Sequence, residues 1–157
     1  LSWGIEVARD ARKAAGLDPD GVAYGAYINL ACHDNITAAR DLVCGGLTTF
    51  ARFNVMYGRT MGPWSEAAQA HLHTLVSNYD MNKHTQGDSR QAGTLTDSFI
   101  DHFAIVGGPE QCLERLRGLA ALGLDKVVIG GRISLSDNPH AARALELLEQ
   151  QVLPALR

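Results

Sequence analysis

The chain has 157 residues, 46% hydrophobic and 20% charged, the balance of a soluble globular protein long enough to bury one core. A net charge of −3 excludes the basic footprint of a nucleic-acid or membrane-surface binder, and no apolar run approaches the roughly 20 residues of a membrane span. Cys32, Cys44 and Cys112 are odd in number, far apart and outside any C-x-x-C, and no signal peptide is visible. These features read as reduced thiols in a cytoplasmic protein.

Taken in order, Trp3–Ala15 is an amphipathic helix with Val7, Ala8, Ala11, Ala14 and Ala15 on one face, ended by Gly16. The chain thus enters helix almost at its first residue, Leu1, which suggests a piece of a longer protein. Leu17–Gly21 is turn chemistry. Val22–His33 is the longest strand candidate: Val22, Tyr24, Ala26, Ile28, Leu30 and Cys32 form an apolar face. The opposite face is smaller and more polar, with Asn29 and His33 towards its end. Asp34 or Asn35 can cap a helix carrying Ile36, Ala39, Leu42 and Val43 inward. Gly45-Gly46 should weaken or kink that helix, at about 1 kcal/mol per glycine. Residues 54–65 form a loop rich in Gly, Met and aromatics, Glu66–Tyr79 a further helix, and Asp80–Gly93 a polar surface excursion. Leu95–His102 is a short helix.

Phe103–Gly131 then reads as a complete strand–helix–strand unit. Phe103–Val106 has the length of a buried strand, Gly107-Gly108 stops it, and Pro109 stands at the first helical position, where proline is best tolerated. Cys112, Leu113, Leu116, Leu119 and Ala120 share one helical face, Gly123 suits the C-cap, and Lys126–Ile129 is a second apolar run. Strands joined by a helical crossover are parallel. Ser134–Asn138 is a loop, and Pro139 opens a terminal helix. The class is α/β, with about three strand–helix units and a helical insertion after the first. Three parallel strands cannot close, and an open sheet would leave apolar edges unpaired. The units instead fit the C-terminal portion of a (β/α)₈ barrel, which needs about 250 residues. Residues 1–157 would then be part of one barrel domain whose N-terminal half is absent. A small open sheet is the competing fold.

Barrel and open α/β sites lie at the carboxyl ends of strands. Gly107, Gly108, Gly130 and Gly131 stand there and would let backbone N–H groups approach a phosphate or ring, although glycines also simply end strands. Arg132 adds a positive charge to the same rim. His33 emerges there too and could donate to or orient a bound carbonyl. Tyr57 and Arg59, in the 54–65 loop, suit a cover over an apolar ligand. His71-Leu72-His73 is not a helical metal pair, because ligands on one helix face need i, i+4 spacing. Cys112 lacks a base, and G-x-S-x-G, P-loop and G-x-G-x-x-G motifs are absent, so no metal site or catalytic residue is assigned.

The run FAIVGGPEQCLERLRGLAALGLDKVVIGG, followed by a helix ending QQVLPALR, resembles the C-terminal part of luciferase-like monooxygenases. YINLACHD, GGLTTFARFNVMYGRTMGP and YDMNKH look like the branch using the deazaflavin coenzyme F420. The resemblance implies a (β/α)₈ barrel with the cofactor across its C-terminal mouth. It further implies hydride transfer between that cofactor and a small organic substrate, with FMN and an oxygen-using monooxygenase reaction as the alternative. Many cofactor contacts of that family come from an N-terminal half, so no catalytic residue carries over. By strand-end position, Gly107, Gly108, Gly130, Gly131 and Arg132 are expected at the cofactor and His33, Tyr57 and Arg59 at the substrate. A homo-oligomer without nucleic acid or membrane is expected. Two rival readings are another phosphate-binding barrel, such as a sugar-phosphate isomerase or lyase, and a non-catalytic assembly module.

Overall fold

Apolar alternation from Ala26 to Cys32 makes the central strand of a parallel sheet. The computed structural model of the chain describes residues 1–130 and 137–156. Its strands are β1 (Gly25–Cys32), β2 (Ile105–Gly107) and β3 (Lys126–Gly130), in the order β2-β1-β3. β1 divides its length between two neighbours: Gly25–Asn29 pair with Lys126–Gly130, and Leu30–Cys32 pair with Ile105–Gly107. The strands of the Phe103–Gly131 unit are therefore parallel but not adjacent, because β1 lies between them.

Among the described residues there are six α-helices: α1 (Ser2–Ala14), α2 (Ile36–Phe53), α3 (Glu66–Ser77), α4 (Asp97–Phe103), α5 (Pro109–Ala120) and α6 (Ala141–Leu147). Their starts follow from local chemistry. Asn35 Oδ1 accepts from the Thr37 and Ala38 N–H groups, Ser65 and Thr96 cap α3 and α4, and Pro109 occupies the first turn of α5. Helical turns continue from Leu148 to Leu156. Among the described residues no helix is long and apolar enough to cross a membrane.

Both sheet faces are covered over the carboxyl half of β1, including the one that looked less like ordinary core. On that face Ala31 and Val106 meet Ala39, Val43 and Leu47 of α2, Leu72 and Leu75 of α3, and Phe99 and Ile100 of α4. On the other, Leu30, Cys32 and Ile105 meet Cys112 and Leu116 of α5 and Leu147, Leu148 and Val152 beyond. Leu30, Leu47, Leu72 and Leu75 are wholly buried, each contributing about 1.5–3 kcal/mol.

Several expectations change. The strand expected at Phe103–Val106 is Ile105–Gly107, with Phe103 ending α4. The apolar stripe of α1 stays open: only Ile5 is buried and Val7 is 49% exposed, because no described element packs along it. Gly45-Gly46 does not break α2, which runs unbroken through 18 residues. Gly45 is instead where the backbone of residues 85–87 presses on the helix, and a Cβ there would collide with the Thr85 carbonyl oxygen. The 80–93 stretch is also more ordered than a surface excursion. Gln91 is fully buried; its Oε1 accepts from Asp80 N–H, and its Nε2 donates to the Asp80 and Lys83 carbonyls.

Candidate functional site at the carboxyl ends of the strands

The register brings the end of β1 beside the end of β2. His33 N–H donates to the Gly107 carbonyl at 2.8 Å, fixing the first residue after β1 against the last of β2. Gly107 has φ +135, in the region only glycine adopts easily, and a Cβ there would also run into the Gln111 amide. Gly108 precedes α5 with open space around it, and no side chain caps that helix. The first-turn N–H groups of α5 therefore keep capacity for an external acceptor. A shallow groove of about 430 Å³ opens there, over Gly108, Glu110, Gln111 and Gln151. Gly130 ends β3 opposite Asn29, and a Cβ on it would merely touch the Phe50 ring at 3.5 Å. Gly131 and Arg132 lie outside the described residues.

His33 is only 7% exposed and both ring nitrogens are engaged. Nδ1 accepts from Asn35 N–H at 2.9 Å, and Nε2 lies 3.2 Å from His140 Nδ1. Beside this pair Arg143 bridges Asp34 at 3.1 Å and Glu146 at 2.9 Å. These two carboxylates hold the guanidinium above its ordinary range, the bond to Glu146 weighing most. Sequence reading missed His140. The available signal was its place after Pro139 at the head of the terminal helix, since helices that follow strands in this architecture begin near the strand-end rim.

The structure does not bring Tyr57 and Arg59 to this rim. α2 starts at the end of β1 and runs about 27 Å back along it, so that Phe50 stacks with Tyr27 at 6.3 Å. The 54–65 loop thus begins at the opposite end of the sheet, where Tyr57 is 77% exposed and Arg59 is also exposed. Asn29 lies deeper on the α2 face, buried, with Oδ1 lacking a hydrogen-bond partner. It lines a cavity of about 530 Å³ with Tyr27, Phe50 and Arg115, below the rim. His71 and His73 point apart: His71 stacks on Phe99 at 4.4 Å, whereas His73 reaches Thr60. Burial lowers the His71 pKa.

Charge separates two spaces near the rim. A cavity of about 770 Å³ beside the upper half of α2 is walled by Asp41, Asp88 and Asp137, an acidic setting that repels phosphate. The α5 N-terminus offers the opposite partial charge. Beneath it Cys32 and Cys112 are fully buried, and the Cys112 thiol sits 3.4 Å from the Gly107 carbonyl. Its contact with Cys32, together with burial, pushes the Cys112 thiol far above its ordinary range, which suits packing and not nucleophilic attack.

The parallel sheet, its helical cover and the glycine-marked strand ends define the α/β architecture of part of a (β/α)₈ barrel. The family model described as luciferase-like monooxygenase matches residues 1–126, and the chain belongs to that family. It is 24% identical over 151 residues, 94% of its length, to a 5,10-methylenetetrahydromethanopterin reductase of Methanolobus tindarius, and covers 42% of that protein. A protein of the same name from Archaeoglobus fulgidus is 32% identical over 77 residues, which are 48% of this chain and 22% of that one. Among solved structures, the coenzyme F420 dependent tetrahydromethanopterin reductase of Methanopyrus kandleri aligns with 99% of the chain. The TM-score is 0.65 at 19% identity, over 42% of that protein. The chain therefore spans less than half the length of the relatives it matches.

Proposed function

We propose that this chain forms the C-terminal portion of a single-domain, F420-dependent oxidoreductase that passes hydride between the deazaflavin and a small organic substrate. The observation that carries the reading is the match along 94% of the chain to a 5,10-methylenetetrahydromethanopterin reductase. The structural likeness to an F420-dependent reductase agrees with it in fold. A reduced pterin carrying a one-carbon unit, the substrate class in those names, is the first candidate substrate.

The residues at the rim fit an anionic cofactor. Gly108 stands with open space around it, and the uncapped first turn of α5 supplies N–H donors to an oxyanion, whereas Gly107 is buried with its carbonyl taken by His33 N–H. The Glu110 carboxylate in the same turn works against close approach, so the anion belongs at the Gly108 side. When bound, the deazaflavin supplies the hydride-carrying ring; the protein holds and orients it and excludes water. Gly131 and Arg132 are assigned to the same rim by position alone.

Titration of the protein as its source makes it, followed by absorbance, tests the proposal. F420 is expected to bind saturably, and FMN to bind at least tenfold more weakly. Preference for FMN would move the reading to a flavin monooxygenase, and binding of neither would overturn it. The assembly-module reading draws on a different observation: Tyr27, on β1 where it pairs with the edge strand β3, is 69% exposed. It predicts a concentration-dependent oligomer of the 157-residue chain in sedimentation, with no affinity for either cofactor.

A further inference from the structure

His33 and His140 stand 107 residues apart in sequence and meet at the rim. Their hydrogen bonds run in one direction. The Asn35 N–H can only donate, so His33 Nδ1 is the acceptor, and a neutral His33 carries its proton on Nε2. That Nε2–H points at His140 Nδ1, which must then accept, leaving the His140 proton on its own Nε2. The rings meet edge to face at 87°, with centroids 4.9 Å apart. Both backbones are held: His33 N–H by the Gly107 carbonyl, His140 N–H by Asn138 Oδ1 at 2.9 Å.

We infer that His140 Nε2–H is a hydrogen-bond donor to an oxyanion or carbonyl oxygen of the ligand at this rim, and that His33 is the positioning residue that sets its tautomer. The inference rests on the reading of the rim as a ligand site. His33 has no ring nitrogen left for a ligand, so the expected contact passes outward to its exposed neighbour, whose Nε2 has no partner among the described residues. Arg143, one turn along α6, is already committed to Asp34 and Glu146.

Long-range ¹H–¹⁵N spectra of the labelled protein at pH 8 read the two tautomers directly, and both histidines are expected as the Nε2–H form. Inorganic phosphate is the ligand probe. Its addition should shift the His140 Nε2 resonance saturably, and His140→Ala should weaken phosphate binding about tenfold, as for one hydrogen bond to a charged acceptor. His33→Phe should leave the fold intact and convert His140 to a mixture of tautomers. If that variant does not fold, the wild-type tautomers and His140→Ala decide the matter. An Nδ1–H form at either residue, an unmoved His140 resonance, or unchanged phosphate affinity in His140→Ala would each overturn the inference. The F420 titration is scored separately: its failure alongside a phosphate response at His140 removes the cofactor proposal and leaves this donor in place.

Discussion

Gly45→Ala and Gly118→Ala make one chemical change in two helices, and the structure predicts opposite outcomes. Alanine is favoured over glycine in a helix interior by about 1 kcal/mol. At Gly118 of α5 a new Cβ meets nothing within 4 Å, so this gain should appear in full. That is a rise of roughly 2–4 °C in Tm for a chain of this size. At Gly45 the Cβ would collide with the Thr85 carbonyl oxygen and stand 2.8 Å from its carbon and 3.0 Å from Gly87 N. These are backbone atoms, and Thr85 already holds φ +64, so the 85–87 turn has little room to retreat. Overpacking costs roughly 1–3 kcal/mol. With the obstacle in backbone, the upper part of that range applies, leaving Gly45→Ala destabilised by about 1–2 kcal/mol net. Urea unfolding of both variants, with m-values compared to confirm a common unfolded state, should separate them by about 2–3 kcal/mol. Equal stabilisation would refute the claim that Gly45 is kept for close approach of the 85–87 backbone.

Gln91→Leu keeps the volume of a fully buried side chain but strands the Asp80 N–H and two carbonyls. A loss of about 2–4 kcal/mol is expected, read by denaturant titration, with earlier proteolysis in the 80–93 stretch. The bond from Arg40 holds the Asp101 carboxyl below its usual pKa. A depressed folded pKa means that this stabilisation is present above the unfolded value and is lost as pH falls through the folded one. Asp101→Asn should therefore flatten the acid limb of stability against pH, and an unchanged limb would count against the pairing. Burial, reinforced by Asp41, pushes the Cys44 thiol up to about 11, so at pH 8 about one part in a thousand is thiolate. With Cys32 and Cys112 wholly buried, a thiol-reactive disulfide reagent should label none of the three quickly until urea unfolds the chain. Prompt labelling of the native protein would contradict the packing described.

Local chemistry was legible in the residues themselves. Pro109 at the first turn and the apolar spacing after it specify α5, although the C-cap falls at Ala121 and not at Gly123; the alternation over Val22–His33 contains β1, which is Gly25–Cys32; and of Asp34 and Asn35 it is Asn35 that caps α2. These signals act within a few residues, where backbone geometry and burial of one face decide the conformation. The glycine pairs showed where strands end, and the α/β class followed from the strand–helix–strand unit. Partner choice is another matter. That β1 would lie between β2 and β3, that α2 would survive Gly45 and carry Tyr57 and Arg59 away from His33, and that Gln91 would organise residues 80–93 all depend on contacts between distant residues. Sequence spacing carries no measure of those contacts. The same holds for His33 and His140: neither histidine alone reveals a tautomer, and only the tertiary structure joins the main-chain N–H of Asn35, two rings and the head of α6 into one directed chain.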